Sequence, residues 1–100
     1  MPRARPSRGS FPFMRDLLPA PAEYYAAQKL KLLGGGAWRN AVCPFHEDHS
    51  PSLRVRLETG AFRCMACGAH GGDVLAFHML RFGLSFAAAA RDLGAWRVDQ

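Results

Sequence analysis

Apolar and charged residues alternate strictly along 53–57, Leu-Arg-Val-Arg-Leu, the period-two pattern of a strand with one buried face. Thr59-Gly60 is a turn signal, and 61–64, Ala-Phe-Arg-Cys, reads as the returning strand of a hairpin. A two-residue turn would place Leu57 opposite Phe62, Arg56 opposite Arg63 and Val55 opposite Cys64. One face then carries Leu53, Val55, Leu57, Phe62 and Cys64, and the other carries Arg54, Arg56 and Arg63. Upstream, 37–42 reads as a strand containing Trp38, after a turn at Gly34-Gly35-Gly36. Residues 29–33, Lys-Leu-Lys-Leu-Leu, also alternate and predict a strand, with continuation of the preceding helix through Leu33 as the rival.

The rest of the pattern is helical. Phe13, Leu17 and Leu18 are spaced for a short helix over 11–18, which Pro19 and Pro21 interrupt. Pro21 suits the first turn of a second helix to about Gln28, with Glu23 near its positive end. Asp73 opens a helix to about Phe82, with Gly83 beyond its end. Its apolar residues Val74, Phe77, Met79, Leu80 and Phe82 cover most of the circumference, which predicts packing on two sides. A surface for a partner protein is the alternative. Ser85 caps a last, Ala-rich helix over 86–93, ended by Gly94. His78 falls inside a helix pattern and is expected to be packed or at the surface.

A chain of 100 residues organised this way is one small domain over 11–95, with a Pro/Arg/Ser-rich disordered tail over 1–10 and a short tail over 96–100. So small a domain buries little apolar surface and calls for a further source of stability. The net charge of +5 suits a polyanionic partner or simply aids solubility. Arg3, Arg5 and Arg8 in the tail admit the same two readings. No apolar signal core follows the basic start, and no apolar run approaches the roughly 20 residues of a membrane span. A reducing cytoplasm is therefore expected, where paired cysteines bind metal or carry redox chemistry rather than forming disulfides.

All three cysteines fall in two short motifs, Cys43-Pro44-Phe45-His46 and Cys64-Met65-Ala66-Cys67. Two C-x-x-C/H pairs supply the four N/S donors of a tetrahedral zinc site, each pair reaching the ion from one tight turn. His46 is favoured as the imidazole because it completes the first pair. His70 could instead extend the second to C-x-x-C-x-x-H, and His49 lies close by. Four protein ligands leave no open position, which makes the site structural, and Gly68 permits the positive φ that turns backbone N–H groups toward the sulfurs. The predicted fold is a small α+β domain. It is a zinc ribbon, a short antiparallel sheet with one structural zinc ion, flanked by N- and C-terminal helices.

Three arginines on one sheet face repel one another, so the cluster suits a phosphate backbone; splayed, solvated side chains are the alternative. Arg39, Lys29 and Lys31 would extend the patch if their strands join the same sheet. Trp38 and Phe45 either stack on unpaired bases or close the core around the metal.

The string from Cys43-Pro44-Phe45-His46 through Glu47-Asp48-His49-Ser50-Pro51-Ser52-Leu53, and then Phe62-Arg63-Cys64 to Cys67-Gly68-Ala69-His70-Gly71-Gly72-Asp73-Val74, resembles the CHC2-type zinc-binding domain of bacterial DnaG-type DNA primases. The likeness extends over about 11–95. It implies zinc on Cys43, His46, Cys64 and Cys67, with Pro51-Ser52 and 68–72 as structural turns beside the metal. It also implies contact with single-stranded template DNA and a part in choosing where a primer starts. In full primases a catalytic Toprim domain with a glutamate and an Asp-x-Asp pair follows. This sequence has no Asp-x-Asp, so the expectation is a non-catalytic DNA-binding module, with a catalytic primase subunit or a helicase acting in trans. Arg54, Arg56, Arg63, Arg39, Lys31 and Trp38 are the expected DNA contacts. The alternative is a zinc module that docks a replication protein, with DNA contact incidental.

Overall fold

Leu53–Arg56 is the second strand of a four-stranded antiparallel sheet in the computed structural model, which describes residues 12–47 and 51–97. The expectations for 1–10, Phe11, His49 and 98–100 fall outside those residues. The strands are β1 (Trp38–Ala41), β2 (Leu53–Arg56), β3 (Phe62–Cys64) and β4 (His70–Gly71), paired in that order. Around them lie a 3-10 turn at Arg15–Leu17 and helices α1 (Pro21–Ala27), α2 (Val74–Phe82) and α3 (Phe86–Asp92). The α+β zinc-ribbon layout is the predicted one.

The hairpin differs in register from the expectation. Val55 pairs with Phe62, Arg54 with Arg63 and Leu53 with Cys64. The reversal uses more residues than Thr59-Gly60. Gly60 N–H donates to the Arg56 carbonyl at 2.7 Å, and Arg56 N–H to the Ala61 carbonyl at 2.8 Å. Tertiary packing fixes this wider loop. Gly60 sits at φ 85°, a Cβ there would lie 3.1 Å from the Val74 amide nitrogen, and its carbonyl accepts the buried Tyr25 hydroxyl at 2.7 Å. The shift is two residues, so every side chain keeps its face. Leu53, Val55, Phe62 and Cys64 are buried, while Arg54 and Arg63 are exposed.

Residues 29–33 do not form a strand. α1 ends in a Schellman arrangement, with Lys29 N–H donating to the Ala26 carbonyl at 2.9 Å and Leu30 N–H to the Tyr25 carbonyl at 3.2 Å. Lys29 occupies the left-handed position at φ 65°, where glycine is usual. Leu30 and Leu32 rest half-buried on the core, so the alternation records a contact face, and only Leu33 pairs, with Asn40. Lys29→Gly is expected to raise stability by about 0.5–1 kcal/mol by removing the Cβ penalty. A thermal midpoint at or below that of the parent protein would refute the strain.

The expected helix over 11–18 shrinks to one 3-10 turn because its first residues bond elsewhere. Phe13 bridges Trp96, Met14 N–H donates to the Ala95 carbonyl, and Arg97 N–H to the Pro12 carbonyl, the last two at 2.7 Å. Trp96 and Arg97, expected in a tail over 96–100, are thus tied into the packed structure.

The caps of the last two helices are as read. The Asp73 carboxylate accepts the Ala76 N–H at 2.8 Å, and Ser85 accepts the Ala88 N–H at 3.1 Å. α2 does pack on two sides. Val74 and Phe77 join the sheet core, and Leu75 meets Ala89 and Ala90 of α3. His78 is buried and joins all three helices, with Nδ1 2.7 Å from the Tyr24 hydroxyl and Nε2 2.6 Å from the Asp92 carboxylate. Among the described residues, no helix is long and apolar enough to cross a membrane.

Candidate metal centre and basic sheet face

Two turns bring four donors to one point. The first follows β1 and carries Cys43 and His46; the second leaves β3 and carries Cys64 and Cys67. Their ligand atoms all lie within 4.8 Å of one another. Zinc–sulfur bonds of about 2.3 Å and zinc–nitrogen bonds of about 2.0 Å at tetrahedral angles require S···S edges of about 3.8 Å and S···N edges of about 3.5 Å. Cys43 Sγ and Cys67 Sγ are 3.9 Å apart, and Cys64 Sγ lies 3.3 Å from His46 Nε2. The quartet fits one zinc ion with no donor to spare.

The surroundings prepare the donors. His46 Nδ1 lies 2.9 Å from the Glu47 carbonyl, which can only accept, so Nδ1 holds the ring proton and Nε2 is left to bind metal. Cys64 Sγ accepts the Ala66 and Cys67 N–H groups, both at 3.3 Å, and contacts the Ser52 hydroxyl at 3.5 Å. Burial opposes a thiolate here, but those donors and His46 outweigh it and bring Cys64 down to about 6. Burial dominates at Cys43 and pushes it up to about 12, against one N–H donor from Phe45 and alongside the neighbouring Cys64 sulfur. A dication in the quartet supplies the charge that a second buried thiolate needs. Gly68 at φ 81° closes the second turn. His70 stands outside the quartet, in β4 opposite Arg63; this part of 68–72 is a strand rather than a turn.

The opposite sheet face is polar. Asn40, Arg54, Arg63 and His70 form one row across all four strands. Trp38 pairs with Arg56 in the next row and is 39% exposed. The guanidinium carbons of Arg54 and Arg56 lie 5.8 and 5.9 Å from the Trp38 ring centre, within cation–π reach. Arg56 also pairs with Glu58 at 2.8 Å.

Two expected members lie elsewhere. Arg39 alternates with Trp38 and pairs with Val55, which puts it on the other face, where its Nε donates to the Gly36 carbonyl at 3.0 Å. Lys31 lies on the segment that forms no strand, beside a separate depression shared with Leu30 and Val42. Phe45 joins the core, 5.0 Å from the Phe77 ring centre, so only Trp38 is available for stacking. His70 was not read from the sequence as a member of this face, because it arrives on the two-residue strand β4, which carries no alternation signal of its own.

Residues 25–98 match the family model described as CHC2 zinc finger. The chain is 36% identical over 80 residues to a DNA primase of Streptomyces coelicolor, covering 80% of this chain and 12% of that protein. It is 41% identical over 54 residues to the Gene 58 protein of Mycobacterium phage D29, 54% of this chain and 41% of that one. The crystal structure of the Aquifex aeolicus primase, with its zinc-binding and RNA polymerase domains, superposes with a TM-score of 0.68 at 28% identity, over 85% of this chain and 22% of that one. The chain thus spans about an eighth of the length of the Streptomyces protein.

Proposed function

The chain belongs to the CHC2 zinc finger family as a primase-type zinc-binding domain, and on that premise we propose that its arginine face holds single-stranded template DNA during replication priming, without catalysis of its own. The observation that carries this reading is the direct opposition of Arg54 and Arg63 beside an exposed indole. Like charges face to face destabilise a folded sheet, a cost that bound phosphate would relieve. The zinc quartet holds β3 and the end of β1 rigid, so Trp38, Arg54, Arg56 and Arg63 stand ready before DNA arrives. A catalytic primase subunit or a helicase in trans completes the proposed setting.

Titration with single-stranded oligonucleotides at two salt concentrations tests it. Three phosphates neutralised give a slope of about −2 in log affinity against log salt, at roughly −0.7 each. Arg63→Thr is expected to weaken binding uniformly across sequences while raising the thermal midpoint, because it removes the opposed charge. Unchanged affinity would take Arg63 out of the interface. A second reading, a module that docks a replication protein, draws on the exposure of Leu80, Phe82 and Phe86 on the helical side. Absent or salt-independent DNA binding would favour it.

A further inference from the structure

The segment between α1 and β1 borders a depression of about 240 Å³, lined by Lys29, Leu30, Lys31, Leu33 and Val42. It shares no lining residue with the notch of the arginine face around Trp38, Arg54, Arg63 and His70. Its volume lies below the roughly 300–1,000 Å³ of small-molecule sites and suits a single side chain. Leu30 is half-buried against the core, while Leu33 and Val42 are 41% and 49% exposed. Lys29 and Lys31 are exposed, and neither ammonium group has a partner among the described residues. Lys29 stands there against the preference of its backbone, since φ 65° favours glycine. Residues other than glycine held in such conformations cluster at binding sites and switch regions.

Two unpartnered ammonium groups beside an aliphatic wall complement an anion that carries an apolar side chain. Nucleic acid matches the chemistry poorly, because no ring lines the depression for a base to stack on and lysine lacks the guanidinium fork. We propose that the depression docks an acidic segment of a partner protein. One apolar side chain of that segment sits among Leu30, Leu33 and Val42, and the carboxylates beside it pair with Lys29 and Lys31. Val42 directly precedes Cys43, so the metal turn holds one wall of the site in place. The site uses none of the side chains proposed above for DNA, nor the exposed apolar residues of α2 and α3.

The probe is a fluorescein-labelled, aspartate-rich peptide with one central leucine, followed by fluorescence anisotropy on the zinc-loaded protein. Changing that leucine to alanine in the peptide is expected to weaken binding about tenfold, as for a side chain partly removed from water. Lys31→Glu, which turns attraction into repulsion, is expected to weaken it by about tenfold as well, and Lys29→Gly by about three- to fivefold. Lys29→Gly also relaxes the turn, so this variant should melt higher while binding the peptide more weakly, a pairing that loss of structure cannot produce. Arg63→Thr should leave peptide affinity within about twofold of the parent, since a single exposed charge away from the site is screened. No binding of the peptide, equal binding of its leucine and alanine forms, or affinity unchanged by Lys31→Glu overturns the docking site. Displacement of the peptide by oligo(dT), with Lys31→Glu weakening oligo(dT) by the same factor, overturns it too and assigns the depression to a nucleic-acid path. The leucine–alanine comparison is made on the wild type, so it stands even if a variant does not fold.

Discussion

Removing the zinc ion with a chelator, or replacing Cys64 with Ser, is expected to unfold the domain rather than merely to weaken its binding. Cys64 ends β3, and its sulfur gathers two backbone N–H donors and the Ser52 hydroxyl and faces His46. The quartet links the segment after β1 to the turn after β3, 18 to 24 residues apart. Structural zinc in small fingers contributes about 10–16 kcal/mol of apparent binding free energy at neutral pH, as much as the whole stability of a typical domain. The far-UV circular dichroism of the chelated protein should therefore lose its cooperative thermal transition and regain it on zinc addition. A metal-free sample that still melts cooperatively would remove the ion from the folding account.

Phe77→Ala is expected to cost about 3–5 kcal/mol, the range for emptying a buried aromatic site. Phe77 has no exposed surface, and its ring centre lies 5.0–5.8 Å from those of Tyr24, Tyr25, Phe45 and Phe62. Those partners come from α1, the first metal-binding turn and β3, so no single element can move in to fill the cavity. Because Phe45 lies between Cys43 and His46, the same substitution should loosen that turn and lower zinc affinity. Phe77→Leu, which keeps most of the apolar volume, should fall between the parent and the alanine variant. Urea unfolding with a competing zinc indicator reads both quantities. A loss below about 1 kcal/mol, or zinc affinity unchanged in a clearly destabilised protein, would break the proposed coupling between core and metal.

What could be read from the sequence was local. Cys43, His46, Cys64 and Cys67 were legible because each pair needs only one turn to converge, and Asp73 and Ser85 because a cap acts within three residues. The strict alternation of Leu53 to Leu57 gave the faces of the sheet. The features that escaped are set by contacts far along the chain. Tyr25 holds Gly60, which widens the hairpin loop and moves the register by two. Trp96 draws Phe13 out of a helix. Lys29 takes a backbone conformation that its residue type does not announce. Arg39 and Trp38 were both expected to touch DNA, yet neighbours in a strand point to opposite faces, so only one of them can share the side of Arg54 and Arg63.

The pairing of Pro12–Met14 with Ala95–Arg97 has a mechanical corollary. The two strands run antiparallel, and residues 12 and 97 lie side by side at the same end of the pair. Tension applied between those residues pulls along the hydrogen bonds, at right angles to the strands, so the bonds open one at a time, like a zip. The first opening under load would release Phe13 from its packing against Phe86 and Trp96 while the zinc quartet stays clamped.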